Sequence, residues 1–297
     1  ATNTSQTKAL RISYMNAGAA KCVLESLRFH VDSDPEVVIA VCTALGKLLE
    51  GAPNHAAKGE DLYNEECTAT AMRIECGRMG ATQLALDLIH KSIEKAHTCS
   101  DARRLVCAAY MVLEHLVMDF ENKLLITSLG AVPTLVTHLL TFLEHARLLE
   151  GAMAILINCA CGHDENKILI GKEGGVGNVI AAMDRHADDA RVQDRACALL
   201  CNLAADESDS FALQKQIVSE GAVSRITRAM ESHPDDASLQ QESCAALMNL
   251  ARQNVHNRNI IREAGGEKLA RAALKRHRKT LDVEHYAQWC IGHLVVH

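Results

Sequence analysis

Two stretches of this 297-residue chain carry residue types that do chemistry elsewhere, and both fail on spacing. Cys159-x-Cys161-x-His163 offers metal donors, but no second cysteine pair stands nearby at zinc-site spacing, so no metal is expected. Gly171-Lys172-Glu173-Gly174-Gly175-Val176-Gly177 has the glycine density of a phosphate loop. Its lysine, however, precedes the glycines instead of following them before Ser or Thr. No Gly-x-Ser-x-Gly elbow, His-Glu-x-x-His pair or kinase motif set occurs, and the fifteen histidines fall mostly in loops and on polar faces. The expectation is a non-enzyme with no cofactor. A basic patch of Lys268, Arg271, Lys275, Arg276, Arg278 and Lys279 suits an acidic partner or a phosphate, or simply stabilises a helix C-terminus. It has no interleaved aromatics for stacking on bases, and the net charge of −6 argues against nucleic acid as the main partner.

What recurs is hydrogen-bonding capacity. Asn158, Asn202 and Asn249 each interrupt an apolar run, and a carboxamide offers a donor and an acceptor together. An Asn-Lys or Asn-Arg pair recurs as well: Asn122-Lys123, Asn166-Lys167 and Asn257-Arg258. Then comes a glycine phrase: Leu129-Gly130-Ala131-Val132, Glu173-Gly174-Gly175-Val176, Glu220-Gly221-Ala222-Val223 and Ala264-Gly265-Gly266, its glycines 44, 47 and 44 residues apart. Self-similarity at this period means a helical solenoid, in which each repeat buries its apolar face only against its neighbours.

The elements that position these residues follow from local pattern. Six units begin near Asn16, Arg78, Ser128, Lys172, Ser219 and Glu263, within a single domain spanning 1–297. Each unit has a short helix, a glycine break, a second helix, a loop rich in Asp or Pro that reads as a helix start, and a longest third helix. The third helices are expected at 35–50, 101–118, 146–160, 190–204, 237–251 and 283–296, with Val192, Ala196, Leu199, Leu200 and Leu203 forming one apolar stripe. Gly18 and Gly80 are 62 residues apart, and the surplus reads as a loop insertion over 52–64. Cys42, Cys197 and Cys244 share one register position, which marks small core residues of a reduced protein of the cytoplasm or nucleus. Neither a secretory leader nor an apolar run of membrane-spanning length is visible.

Asn249-Leu250-Ala251, Asn257-Arg258-Asn259-Ile260-Ile261 and Gly265-Gly266 resemble the armadillo repeat, as does the stretch from Asn158 to Val176. The resemblance is close over residues 100–297 and looser over 1–100. It implies an all-α fold, a right-handed superhelical solenoid of three-helix repeats (an alpha-alpha superhelix) whose third helices line a concave groove. In armadillo proteins such as importin-α and β-catenin, an asparagine ladder there holds an extended peptide by its backbone. Here the rungs are Lys47, Glu114, Asn158, Asn202, Asn249 and His293. The tryptophans that precede each rung in importin-α are replaced by Ala154, Ala198 and Ala245, with Tyr110 and Trp289 only beside Glu114 and His293. Glu150, Asp194 and Gln241, eight residues before the Asn rungs, join Glu114 in making the groove's middle acidic, which favours a basic or mixed segment.

The resemblance thus implies a protein–protein interaction scaffold that holds an extended partner segment, with all of these residues as the candidate site. Two alternatives stand beside it. The asparagines could tie helix ends between repeats with no ligand, or the protein could be a regulatory factor for a folded GTPase- or chaperone-associated partner, bound through edges, loops or the basic helix. The apolar end 291–296 also suggests self-association.

Overall fold

The structure is a computed structural model, and it describes residues 18–50, 60–205, 210–252 and 254–295. Its elements begin where the sequence supplies a cap. Asp34 accepts a hydrogen bond from the Glu36 N–H at 2.8 Å, with Pro35 at the first helical position. Asp189 accepts from the Arg191 N–H at 3.0 Å, and Asp236 from that of Leu239 at 3.1 Å. Each satisfies an N–H group that the helix itself leaves without a partner.

The helices fall into two compact units, 1–131 and 132–297. The first holds α1 (Ala19–His30), α2 (Pro35–Leu49), α3 (Glu60–Arg78), α4 (Ala81–Ile93), a 3₁₀ turn (Lys95–His97), α5 (Ser100–Leu116) and α6 (Phe120–Ser128). The second begins within α7 (Ala131–Thr141). It continues with α8 (Ala146–Ala160), α9 (Asp164–Lys172), α10 (Gly175–Arg185), α11 (Ala190–Ala204), α12 (Ser210–Ser219), α13 (Ala222–Ser232), α14 (Ala237–Ala251), α15 (Val255–Glu263), α16 (Gly266–Arg276) and α17 (Leu281–Val295). Of the expected 52–64 insertion, residues 52–59 lie outside the described residues, and 60–64 already belong to α3.

In the second unit the third helices α8, α11, α14 and α17 pack in succession, with α10, α13 and α16 each against the third helix of its own repeat. The stripe Val192, Ala196, Leu199, Leu200 and Leu203 is wholly buried. The turns between first and second helices use glycine for its conformation. Gly174 and Gly221 adopt φ of 80° and 86°, which other residues reach only with strain. The additional glycine in the first of these turns, Gly175, has a different reason: a Cβ there would come within 2.7 Å of the Ile170 carbonyl. The apparent phosphate loop is a helix–helix turn. Cys42, Cys197 and Cys244 are buried free thiols, and burial pushes Cys42 and Cys197 up to about 12, so neither is a thiolate at neutral pH. Among the described residues there is no strand, and no single helix is long and apolar enough to cross a membrane.

Candidate partner-binding groove

The ladder asparagines of the second unit stand half-buried on their third helices. Asn202 of α11 donates through Nδ2 to the Ile157 carbonyl of α8 at 3.0 Å, and Asn249 of α14 donates to the Cys201 carbonyl of α11, also at 3.0 Å. Each acceptor immediately precedes the ladder asparagine of the helix before. The tie between repeats is therefore real, and it occupies one N–H of a group that has two and also accepts. In Asn249 the nitrogen also lies 3.4 Å from Cys201 Sγ.

Around the ladder, charges are more mixed than a count of acids suggests. The Glu150 side chain is 17 % exposed, and its carboxylate lies 3.6 Å from the Arg191 guanidinium. Burial raises its pKa, while Arg191, Arg147 and Arg195 pull it back. Burial likewise raises that of Asp194, partly offset by a hydrogen bond with Ser238. The three arginines, on the same two helices as these acids, were missed because only one register position was counted. Gln241 donates to Glu242 at 3.2 Å. On α17, Trp289 is 55 % exposed, its ring 4.6 Å from that of His285, and His293 is half-buried. Glu114 is half-buried on α5, in the first unit.

Tyr110 corrects the expectation. It is 1 % exposed, with its phenol pushed up by burial, because on α5 it continues the buried stripe of Val106 and Leu113. It is a core residue and not a groove contact. The Cys159–His163 motif is also structural. Cys159 is buried, and His163 Nδ1 accepts from the Asn166 N–H at 3.3 Å as a helix cap. Among the described residues no cluster of three or more His, Cys, Asp or Glu could hold a metal.

Two further sets of joints went unread. The asparagine of each Asn-Lys or Asn-Arg pair is buried and donates to a backbone carbonyl of another helix: Asn166 to Cys159 and Asn257 to Leu250 in the helix just before, both at 3.0 Å, and Asn122 to Arg73 of α3 at 2.9 Å. Gln214 takes this role in α12, donating to the Ala204 carbonyl at 2.9 Å. Along the loops between second and third helices runs a histidine series. Nε2 of His186, His233 and His277 meets the carbonyls of Leu143, Ala187 and Pro234 at 2.7, 2.9 and 2.9 Å. A carbonyl only accepts, so Nε2 carries the proton. The histidines are 47 and 44 residues apart, the repeat spacing itself, which was the available signal.

Three-helix repeats broken at glycine and stitched through third-helix asparagines define an armadillo-type solenoid. Solved structures agree in fold. An engineered protein from a structural genomics consortium superposes with a TM-score of 0.72 at 19 % identity, covering 92 % of this chain and 98 % of that one. The designed armadillo repeat protein YIII(Dq)4CqI gives 0.67 at 17 % identity, with the same coverage of 92 % and 98 %. A designed armadillo repeat protein in complex with the peptide (KR)4 gives 0.66 at 15 %, again over 92 % and 98 %. At these identities the likeness is one of fold alone. No curated protein sequence matches. The model of the LRRK2 ARM repeat family matches residues 85–297, and the chain belongs to that family.

Proposed function

We propose that this armadillo solenoid is a non-catalytic protein-binding scaffold, and that an extended segment of a partner lies on the third helices of the second unit along Asn158, Asn202 and Asn249. The observation that carries this reading is the pair of ties at Asn202 and Asn249. Each holds its amide in one orientation through a single carbonyl, so a ligand meets groups already ordered and the entropic cost of binding falls. Asparagines recurring at the repeat spacing match the recurring peptide units of an extended chain. The designed protein that holds (KR)4 has the same fold. Here, with Arg147 and Arg191 beside Glu150 and with Trp289 on α17, the favoured segment is of mixed charge.

The test is selection from a displayed library of random linear peptides, run on wild type and on Asn202→Ala/Asn249→Ala at a temperature where both show full helical circular dichroism. The reading expects wild type to enrich a family of sequences that the double variant binds at least about tenfold more weakly, the loss of one to two hydrogen bonds. Enrichment of the same peptides with equal affinity for both proteins, or of none by wild type, refutes it.

A further inference from the structure

The second helices of the second unit differ in how they spend their charges. On α10 and α13 acids and bases cancel across repeats. Asp184 pairs with Arg225 at 3.0 Å and Arg228 at 2.6 Å, and Arg185 pairs with Glu144. On α16 the cancellation is incomplete. Its exposed residues are Lys268, Arg271, Ala272, Lys275 and Arg276, all cationic but one, and exposed Arg278 and Lys279 follow in the turn. Arg271 is paired with Glu267 at 2.8 Å and Arg276 with Asp235 at 3.4 Å. Lys268, Lys275, Arg278 and Lys279 make no ion pair among the described residues. Two residues past Lys279, at the first position of α17, stands Leu281, 80 % exposed.

We propose that this face docks on an anionic lipid bilayer, its lysines and arginines against the phosphate and carboxylate headgroups and Leu281 set among them. Helix stabilisation accounts for cations in the last turn of α16, but not for Lys268 in its first turn, where the helix dipole disfavours a positive charge. Nor does it account for an exposed leucine at the tip. The pairing of a cationic surface with an apolar residue suits a bilayer, where both are satisfied at once. A nucleic-acid backbone would use the cations and leave Leu281 idle, and residues 266–281 hold no Phe, Tyr or Trp for stacking on bases, while His277 is bonded to the Pro234 carbonyl. The chain's net charge of −6 helps fix orientation. Screening limits attraction to charges within about 8 Å of the surface, so this face alone is drawn in and the rest of the molecule is not.

The experiment is co-sedimentation of the protein with phosphatidylcholine vesicles, with and without phosphatidylserine, at low and high salt. Wild type is expected to sediment only with phosphatidylserine present and to be released by salt. Each cation removed weakens partitioning about fivefold, so Lys275→Ala/Lys279→Ala loses about 25-fold. Leu281→Ser, with charge unchanged, loses several-fold. All three positions are exposed, and unchanged circular dichroism confirms folding. Absence of phosphatidylserine-dependent sedimentation overturns the proposal, as does equal sedimentation of the variants. Capture of the protein by a polyglutamate peptide or a DNA duplex while vesicles leave it in the supernatant also overturns it, assigning the face to another polyanion.

Discussion

In the first unit the third helices α2 and α5 pack together, α2 burying Val38, Cys42, Leu45 and Leu49 and α5 burying Leu105, Val106 and Leu113, with an exposed Arg104–Glu36 pair between them at the surface. Further exposed pairs, Lys91–Asp32 and Arg78–Glu121, link the neighbouring helices. Its buried polar joints include those of Arg73 to the Leu49 carbonyl and Asn122 to that of Arg73. In the second unit, amides and imidazoles of Asn202, Asn249, His186, His233 and His277 reach a backbone carbonyl of the repeat before. The difference matters physically. Exposed ion pairs are screened by salt and contribute little, whereas a side chain bonded to a backbone carbonyl also holds two helices in register. The first unit has such joints at Arg73 and Asn122, but the second repeats them at the repeat spacing, and it is the second that carries the consecutive asparagine ladder.

The contrast is sharpest at one register position. Gln240 is buried and donates to the Met230 and His233 carbonyls at 3.0 and 3.1 Å, whereas the first unit has Val38 and Leu105 there, both apolar. Gln240→Leu is therefore expected to cost about 2–3 kcal/mol in chemical denaturation, since two carbonyls lose their donor. A neutral effect would mean that apolar contact suffices at this position, as it does at Val38 and Leu105. Asn202→Ala and Asn249→Ala are next, at about 1 kcal/mol each, and the costs should add because the two bonds share no partner.

A smaller effect has a defined sign. Burial raises the Asp194 pKa above its unfolded value, so the folded state gives up that proton reluctantly. Its contribution is most favourable below the ordinary carboxylate range and is lost as pH rises through the raised folded value. Asp194→Asn should be more stable than wild type near neutrality and lose that advantage in acid, which melting curves across pH would show. Smallest of all is Arg104→Ala in the first unit, expected to leave the melting temperature unchanged at physiological salt because its pair with Glu36 is exposed.

Much of this fold was legible because its signals are local. Aspartate caps, the glycine turn and the period of Val192, Ala196 and Leu199 lie within a few residues of what they determine. The ladder positions were legible for the same reason, as a repeated Asn in an apolar run. Their acceptors were not, because Ile157 and Cys201 lie 45 and 48 residues upstream in sequence. Tyr110 was misplaced by counting one turn back from a rung when the stripe through Val106 and Leu113 decides its direction. The histidine series had a readable spacing, but single histidines in loops carry no meaning until the loops are aligned.

The most direct measurement is amide hydrogen exchange on the intact chain, comparing wild type with Asn202→Ala/Asn249→Ala/His233→Ala. If directional joints hold the second unit together, wild type should exchange most slowly in α11 and α14. The triple variant should then speed exchange there and leave α2 and α5 as they were. Equal protection of the two units in wild type, or α11 and α14 unmoved by the three substitutions, would contradict the account.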